Sequence, residues 1–161
     1  MRKITSRGEE IYGSDVFEIL FKYELTRIKR NPAPLALLHI EITPTTTNEE
    51  TLRAAPAVFM KALNTHLRSV DVPSVADRGY RVLLPSTNES GTRTVCERLL
   101  SVFRSKFETQ SGSVAFSLQI GVIVRNVSSS LSAEELFKRA EEALNQSRLK
   151  GPNTFVVIPN L

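Results

Sequence analysis

Leu35-Ala36-Leu37-Leu38-His39-Ile40-Glu41-Ile42 is the stretch that decides the architecture. It is nearly all apolar, which reads as a central strand covered on both faces. Asn31-Pro32-Ala33-Pro34 precedes it and stops the helix upstream, because proline cannot continue a helical ladder. Pro44 and three threonines end it. That upstream helix is capped by Asp15 and carries its apolar stripe on Phe17, Leu20, Phe21, Leu25 and Ile28, at spacings of three and four. Downstream, residues 48–70 predict a helix broken near Pro56, with Val58, Phe59, Ala62, Leu63 and Leu67 on its second part. Val72 to Leu84 predicts two strands around a tight turn at Asp77-Arg78-Gly79, since Asp and Gly tolerate the backbone such turns need. Glu89 to Phe107 predicts a helix with Val95, Leu99, Val102 and Phe103 inward. Val114 to Val124 alternates Phe116, Leu118 and Ile120 with Ser117 and Gln119, the period of a strand. Ser132-Ala133-Glu134-Glu135 is a capping box opening a helix to about Lys150, Gly151 fits its C-terminal cap, and Thr154 to Ile158 is a last strand.

The order α, β, α, β, β, α, β, α, β predicts an α+β fold, a mixed sheet with helices on its faces. The chain has 161 residues, of which 41% are hydrophobic and 24% charged, the balance of one globular domain. Residues 1–14 read as a lead-in or linker and 15–161 as the domain. No apolar run reaches the ~18 residues of a spanning helix, and no apolar segment follows Arg2 and Lys3, so neither membrane insertion nor a secretory signal is expected. Cys96 is the single cysteine, which excludes an internal disulfide and suits a reducing, cytoplasmic compartment. A net charge of +4 favours anionic partners but falls short of the basic stripe of a nucleic-acid binder, so no nucleic-acid partner is expected.

Four strings in order and spacing resemble the GGDEF family, the diguanylate cyclase domain of bacterial signalling, from about Asp15 to Ile158. Pro34 to Ile42 is similar to the family strand that ends in Asp-Ile-Asp. Tyr80-Arg81-Val82-Leu83-Leu84-Pro85 is similar to Phe-Ala-Val-Leu-Leu-Pro. Phe116 to Val122 is similar to the strand ending Ser-Ile-Gly-Val. Ala133-Glu134-Glu135-Leu136, Ala140, Ala143-Leu144 and Gly151-Pro152-Asn153 are similar to the final helix and its exit. The resemblance implies a nucleotide-cyclase-like mixed sheet flanked by helices, related to the ferredoxin-like palm.

The same alignment implies lost catalysis. Joining nucleotides needs metal ions that bridge phosphate oxygens, held in the family by carboxylates at the Asp-Ile-Asp strand end and in the signature turn. Here those positions carry Glu41 and Thr43, and the signature is replaced by Ala76-Asp77-Arg78-Gly79-Tyr80, one residue shorter. Arg78 is a cation where carboxylates are needed, which opposes metal binding. Asn48 matches the family's guanine-binding Asn, Arg148 takes the place of a phosphate-binding lysine, and Pro152 replaces an arginine. No catalytic residue, metal or cofactor is expected.

The inhibitory site for the product, cyclic di-GMP, is marked in the family by Arg-x-x-Asp. Arg68-Ser69-Val70-Asp71 fits, and Arg98 aligns with a second arginine on the next helix. A guanidinium can donate two bonds to guanine O6 and N7 or stack on the base, and a carboxylate can accept from guanine N1 and N2. The resemblance thus implies cyclic di-GMP bound by Arg68, Asp71 and Arg98, with a homodimer or a partner signalling protein. The alternative is a nucleotide-free structural or protein-interaction domain of the same fold, in which Arg68 and Asp71 form a local ion pair worth under ~1 kcal/mol. Other residues have plain readings. His39 and His66 share no metal-ligand spacing, Cys96 is an inert thiol, and Lys22, Arg27, Lys29 and Arg30 are a basic helix end favourable to the helix dipole.

Overall fold

The computed structural model describes residues 4–6 and 9–159. The long apolar stretch forms β3 (Leu35–Thr45), following β1 (Ile4–Ser6), β2 (Glu9–Ile11) and helix α1 (Ser14–Arg30). Then come α2 (Glu49–Thr65), β4 (Val72–Val75), β5 (Tyr80–Pro85), α3 (Glu89–Arg104), β6 (Phe107–Glu108), β7 (Ser113–Arg125), α4 (Ala133–Lys150) and β8 (Thr154–Pro159). The main sheet runs β4-β5-β3-β7-β6, with β8 parallel to the second half of β7 and all other pairs antiparallel. It is the expected mixed sheet.

Strand alternation divides two cores. Ala36, Leu38 and Ile40 of β3 join Val82 and Leu84 of β5 and Leu118, Ile120, Val122 and Val124 of β7 under α2 and α3. Leu35, Leu37, Leu83 and Ile123 face α1 and α4. The first layer centres on Phe59, whose ring lies 4.6 Å from both Tyr80 and Phe103. The second holds Phe17, Phe21 and Phe137, with Phe21 and Phe137 edge to face at 5.1 Å. Each fully buried Phe contributes on the order of 2–3 kcal/mol. Gly121 lets α4 lie directly on β7: a Cβ there would sit 2.1 Å from the Leu144 nitrogen.

Several boundaries differ from the sequence expectation. Pro56 does not break α2, which runs continuously from Glu49 to Thr65. Its exposed position on the helix leaves the apolar face of Ala55, Phe59 and Ala62 unbroken. The helix ends at Thr65, five residues before Val70, so Arg68 and Asp71 stand in the connection to β4. Pro44 does not end β3 either. Beyond Ile40 the β5 side of β3 is unpaired, and a proline's missing donor is tolerated at such an edge. The α3 helix ends at Arg104, and Phe107 belongs to β6. Asp15 does not cap α1; Gly13 is the N-cap and Asp15 accepts from the Val16 amide. The expected lead-in contains β2, whose Ile11 is buried in the first core, and Tyr12 bridges to Ser74.

Candidate functional site

Two regions gather the residues singled out by the sequence. The first is the far end of β3 beside the β4–β5 turn. The turn closes with the Ala76 amide donating to the Gly79 carbonyl, and Asp77 and Arg78 are exposed at its tip. Gly79 has φ +81°, and a Cβ on it would lie 2.1 Å from the Ile40 carbonyl oxygen, so the turn is pressed against β3. Tyr80 is buried against Phe59. Glu41 lines the concavity beside the turn, but its carboxylate is already partnered. Arg148 of α4 donates to it twice, Nε to Oε1 at 3.0 Å and Nη2 to Oε2 at 2.5 Å. These bonds, helped by the charge of Arg78, hold the Glu41 carboxyl below its ordinary range.

Two residues back, His39 sits under α4 and is nearly buried. Arg81, its cross-strand neighbour, donates Nε–H to His39 Nε2 at 3.1 Å. Arginine has no acceptor, so the ring proton is on Nδ1 and is given to Glu141 Oε2 at 3.1 Å. Burial first, and then Arg81, lower the His39 pKa to about 4. Arg81 also lies 4.5 Å from the centre of the Phe137 ring. Glu141 reaches Arg148 at 3.7 Å, so Arg81, His39, Glu141, Arg148 and Glu41 form one connected chain.

The resemblance found in the sequence would imply a divalent cation at this end of β3. The residues present do not fit one: Glu41 is taken by a guanidinium, Arg78 adds a second cation, and among the described residues no group of three or more His, Cys, Asp or Glu could hold a metal. Asn48 is committed too. Its Oδ1 caps α2 through the Glu50 and Thr51 amides, and its Nδ2 donates to the Ser111 carbonyl. A concavity of about 420 Å³ remains, lined by Glu41 of β3, Leu52 and Pro56 of α2 and Val75, Ala76 and Tyr80 of the hairpin.

The second region lies at the sheet edge, where the α2–β4 connection meets the N-terminal half of α3. Arg68, Asp71 and Arg98 line one concavity of about 440 Å³, together with Thr87, Asn88 and Thr94. Asp71 is buried, its side chain only 1% exposed. Its Oδ2 accepts the Arg68 amide at 2.7 Å, and its Oδ1 accepts Arg68 Nη2 at 2.8 Å and Nε at 3.1 Å. The carboxylate therefore fixes the Arg68 guanidinium and is not presented to the concavity as a free acceptor. Arg68 keeps about half of its side chain exposed, and Nη2 also donates to the Pro85 carbonyl and Thr87 Oγ1. Arg98 is exposed, and its Nη2 donates to the His66 carbonyl at 2.9 Å, which brings it over the end of α2.

Thr87 and the Pro85 carbonyl were not foreseen as parts of this region. The turn after Pro85, where Ser86 has φ +50°, was the available signal. Arg81 and Glu141 were also missed as partners of His39. Arg81 follows from the β3–β5 register once the hairpin is aligned, whereas Glu141 depends on where α4 docks. Cys96 is buried, and burial pushes its thiol up to about 12.

No protein-family model matches the sequence, and no curated protein matches it significantly. Solved structures do match the fold. The coiled-coil and GGDEF domains of DgcB from Caulobacter crescentus, in complex with c-di-GMP, superpose with a TM-score of 0.79 at 14% identity, over 96% of this chain and 85% of that one. The GGDEF domain of FimX from Pseudomonas aeruginosa gives 0.76 at 16% identity, over 97% and 98%. The diguanylate cyclase SiaD from Pseudomonas aeruginosa, in complex with its activator SiaC, gives 0.76 at 14% identity, over 98% of this chain; the chain spans 62% of SiaD. The fold is that of the GGDEF domain.

Proposed function

We propose that this chain is a signalling domain that binds cyclic di-GMP at the edge concavity and does not synthesise it. The observation that carries this reading is the meeting of Arg68, Asp71 and Arg98, from two separate segments, around one concavity. Two guanidinium groups there suit a ligand with two phosphates and two guanine edges. Arg68 and Arg98 are the contacting groups, and Asp71 is a positioning residue acting through Arg68. Lost synthesis rests on the other region, where Arg148 occupies the Glu41 carboxylate and Arg78 replaces an acid. A cytoplasmic location, and assembly with a second copy or a signalling partner, belong to the same reading. Likeness in fold to DgcB, solved with c-di-GMP, and to SiaD, solved with its activator, supports it.

One observation favours the rival reading of a nucleotide-free interaction domain. Arg68 and Arg98 already spend donors on the Pro85 and His66 carbonyls, as structural arginines do. Titration calorimetry with cyclic di-GMP separates the two. Saturable binding that Arg68→Ala weakens by about 1–3 kcal/mol, roughly ten- to a hundredfold, is expected. No heat with the unmutated domain would leave the rival standing. Incubation with GTP and Mg²⁺ or Mn²⁺ is expected to give no product.

A further inference from the structure

A larger concavity, about 650 Å³, lies on the other side of the sheet, between α1, the β7–α4 loop and the start of α4. Its wall includes Lys22 and Lys29 of α1, Arg125 at the end of β7, and the hydroxyl residues Ser129, Ser130 and Ser132. Lys22 and Lys29 are seven positions apart, two helical turns, and so share a face.

Arg125 is the unusual member. It is 7% exposed, its Nη2 donates to the Ser129 carbonyl at 2.8 Å, and its Nε has no hydrogen-bond partner. It is the one buried side-chain polar group left unsatisfied among the described residues. No carboxylate pairs with it among the described residues, and burial alone lowers its pKa. A desolvated guanidinium without an anion is costly; its enclosed Nε is out of a ligand's reach, and the part of the side chain that lines the wall is what a ligand would meet. The start of α4 adds a favourable dipole at the same wall. Glu134 is the single acid lining the concavity, against three cations.

We propose that this concavity binds a phosphorylated small molecule, with its phosphate held by Arg125, Lys22 and Lys29 and its organic part resting on Leu25 and Leu131. The site is separate from the Arg68 concavity and shares no lining residue with it. Guanidinium and ammonium groups are phosphate ligands, and backbone amides at a helix start extend the same preference. Two apolar side chains in the wall give more than a bare anion would need.

The test is a proton–nitrogen NMR titration of the full chain with inorganic phosphate and, separately, with glycerol 3-phosphate, at matched ionic strength. Saturable shifts at Ser129, Ser130 and Ala133 are expected, and they should persist in Arg68→Ala, where any phosphate response at Thr87 to Gly91 is weakened. The ester should bind several-fold more tightly than inorganic phosphate; equal affinity would overturn the organic half of the assignment. Lys22→Gln with Lys29→Gln, both exposed, should weaken either ligand about tenfold or more while the free protein stays folded with at most a small drop in thermal midpoint. Arg125→Met should abolish the shifts at the loop. Shifts that are absent, unsaturable, or unchanged in the lysine double variant overturn the proposal.

Discussion

Arginine meets carboxylate in each of the two regions described above, with opposite consequences. At the end of β3 the pair is Glu41 with Arg148, 107 positions apart, each about 30% exposed. The guanidinium donates to both carboxylate oxygens, so the acid has an internal cation for a partner. At the sheet edge the pair is Arg68 with Asp71, three positions apart. There the acid is buried and the arginine half exposed, so the pair holds a guanidinium toward a concavity. The first pair occupies both partners while leaving each partly exposed, whereas the second buries the acid alone and presents the arginine.

The largest expected effect breaks the first region and spares the second. Gly79→Ala puts a methyl group 2.1 Å from the Ile40 carbonyl, at a φ of +81°. Loss of about 3 kcal/mol in urea unfolding is expected. If the variant remains folded, its affinity for cyclic di-GMP should match the parent's, because the Arg68 concavity does not touch the hairpin turn. A parallel loss of affinity would show that the two regions are mechanically coupled.

Acid sensitivity of comparable size should come from the first region through His39. Its pKa is about 4 in the folded chain, against an ordinary 6.5. Between those values the unfolded chain binds a proton and the folded one does not, so stability rises with pH across that window. About 3 kcal/mol is lost on going from pH 6.5 to 4. In His39→Phe the slope of unfolding free energy against pH over this window should flatten, whatever the variant's absolute stability. An unchanged slope would mean that His39 is protonated in the native state.

Asp71→Asn probes the second region. Replacing a buried carboxylate that accepts from the Arg68 amide and guanidinium should cost about 2 kcal/mol of stability. Cyclic di-GMP affinity should fall, by less than in Arg68→Ala, because the guanidinium survives but loses its anchor. Equal losses in the two variants would make the acid a direct contact.

What could be read in advance follows the range of the forces involved. The strands and helices around Leu35–Ile42 were legible because hydrophobic periodicity is local. So were the capping box at Ser132 and the hairpin at Gly79. The hairpin of β1 and β2 was not, because its three-residue strands are too short to show a period. The two-residue β6 is too short to show a period. Pro44 and Pro56 misled because proline's penalty depends on whether its missing donor had a partner, which is a tertiary fact. At the site, the Arg68, Asp71 and Arg98 grouping was visible through resemblance. The burial of Asp71, which makes it an anchor, was not, since an Arg-x-x-Asp string says nothing about which partner faces water. Arg125 went unremarked for the same reason: a strand-end arginine looks solvated until the loop and α1 are folded over it.

The smallest expected effect sharpens the comparison most. If the Glu41–Arg148 pair closes a site without stabilising the fold, its coupling should be weak despite its geometry. A double-mutant cycle with Glu41→Gln and Arg148→Met is expected to give under about 1 kcal/mol, because both groups remain partly hydrated and water screens their attraction. The sign of its pH dependence is fixed. Arg148 holds the Glu41 pKa below its unfolded value, so the contribution is present above that value and is lost as pH falls through the folded one. That loss falls at a lower pH than the onset of the His39 effect, so the cycle should be unchanged between pH 7 and pH 5 and weaken only at more acid pH. A coupling of several kcal/mol would instead make the arginine a structural keystone that shuts the site only incidentally, and the contrast between the two pairs would then be one of stability and not of access.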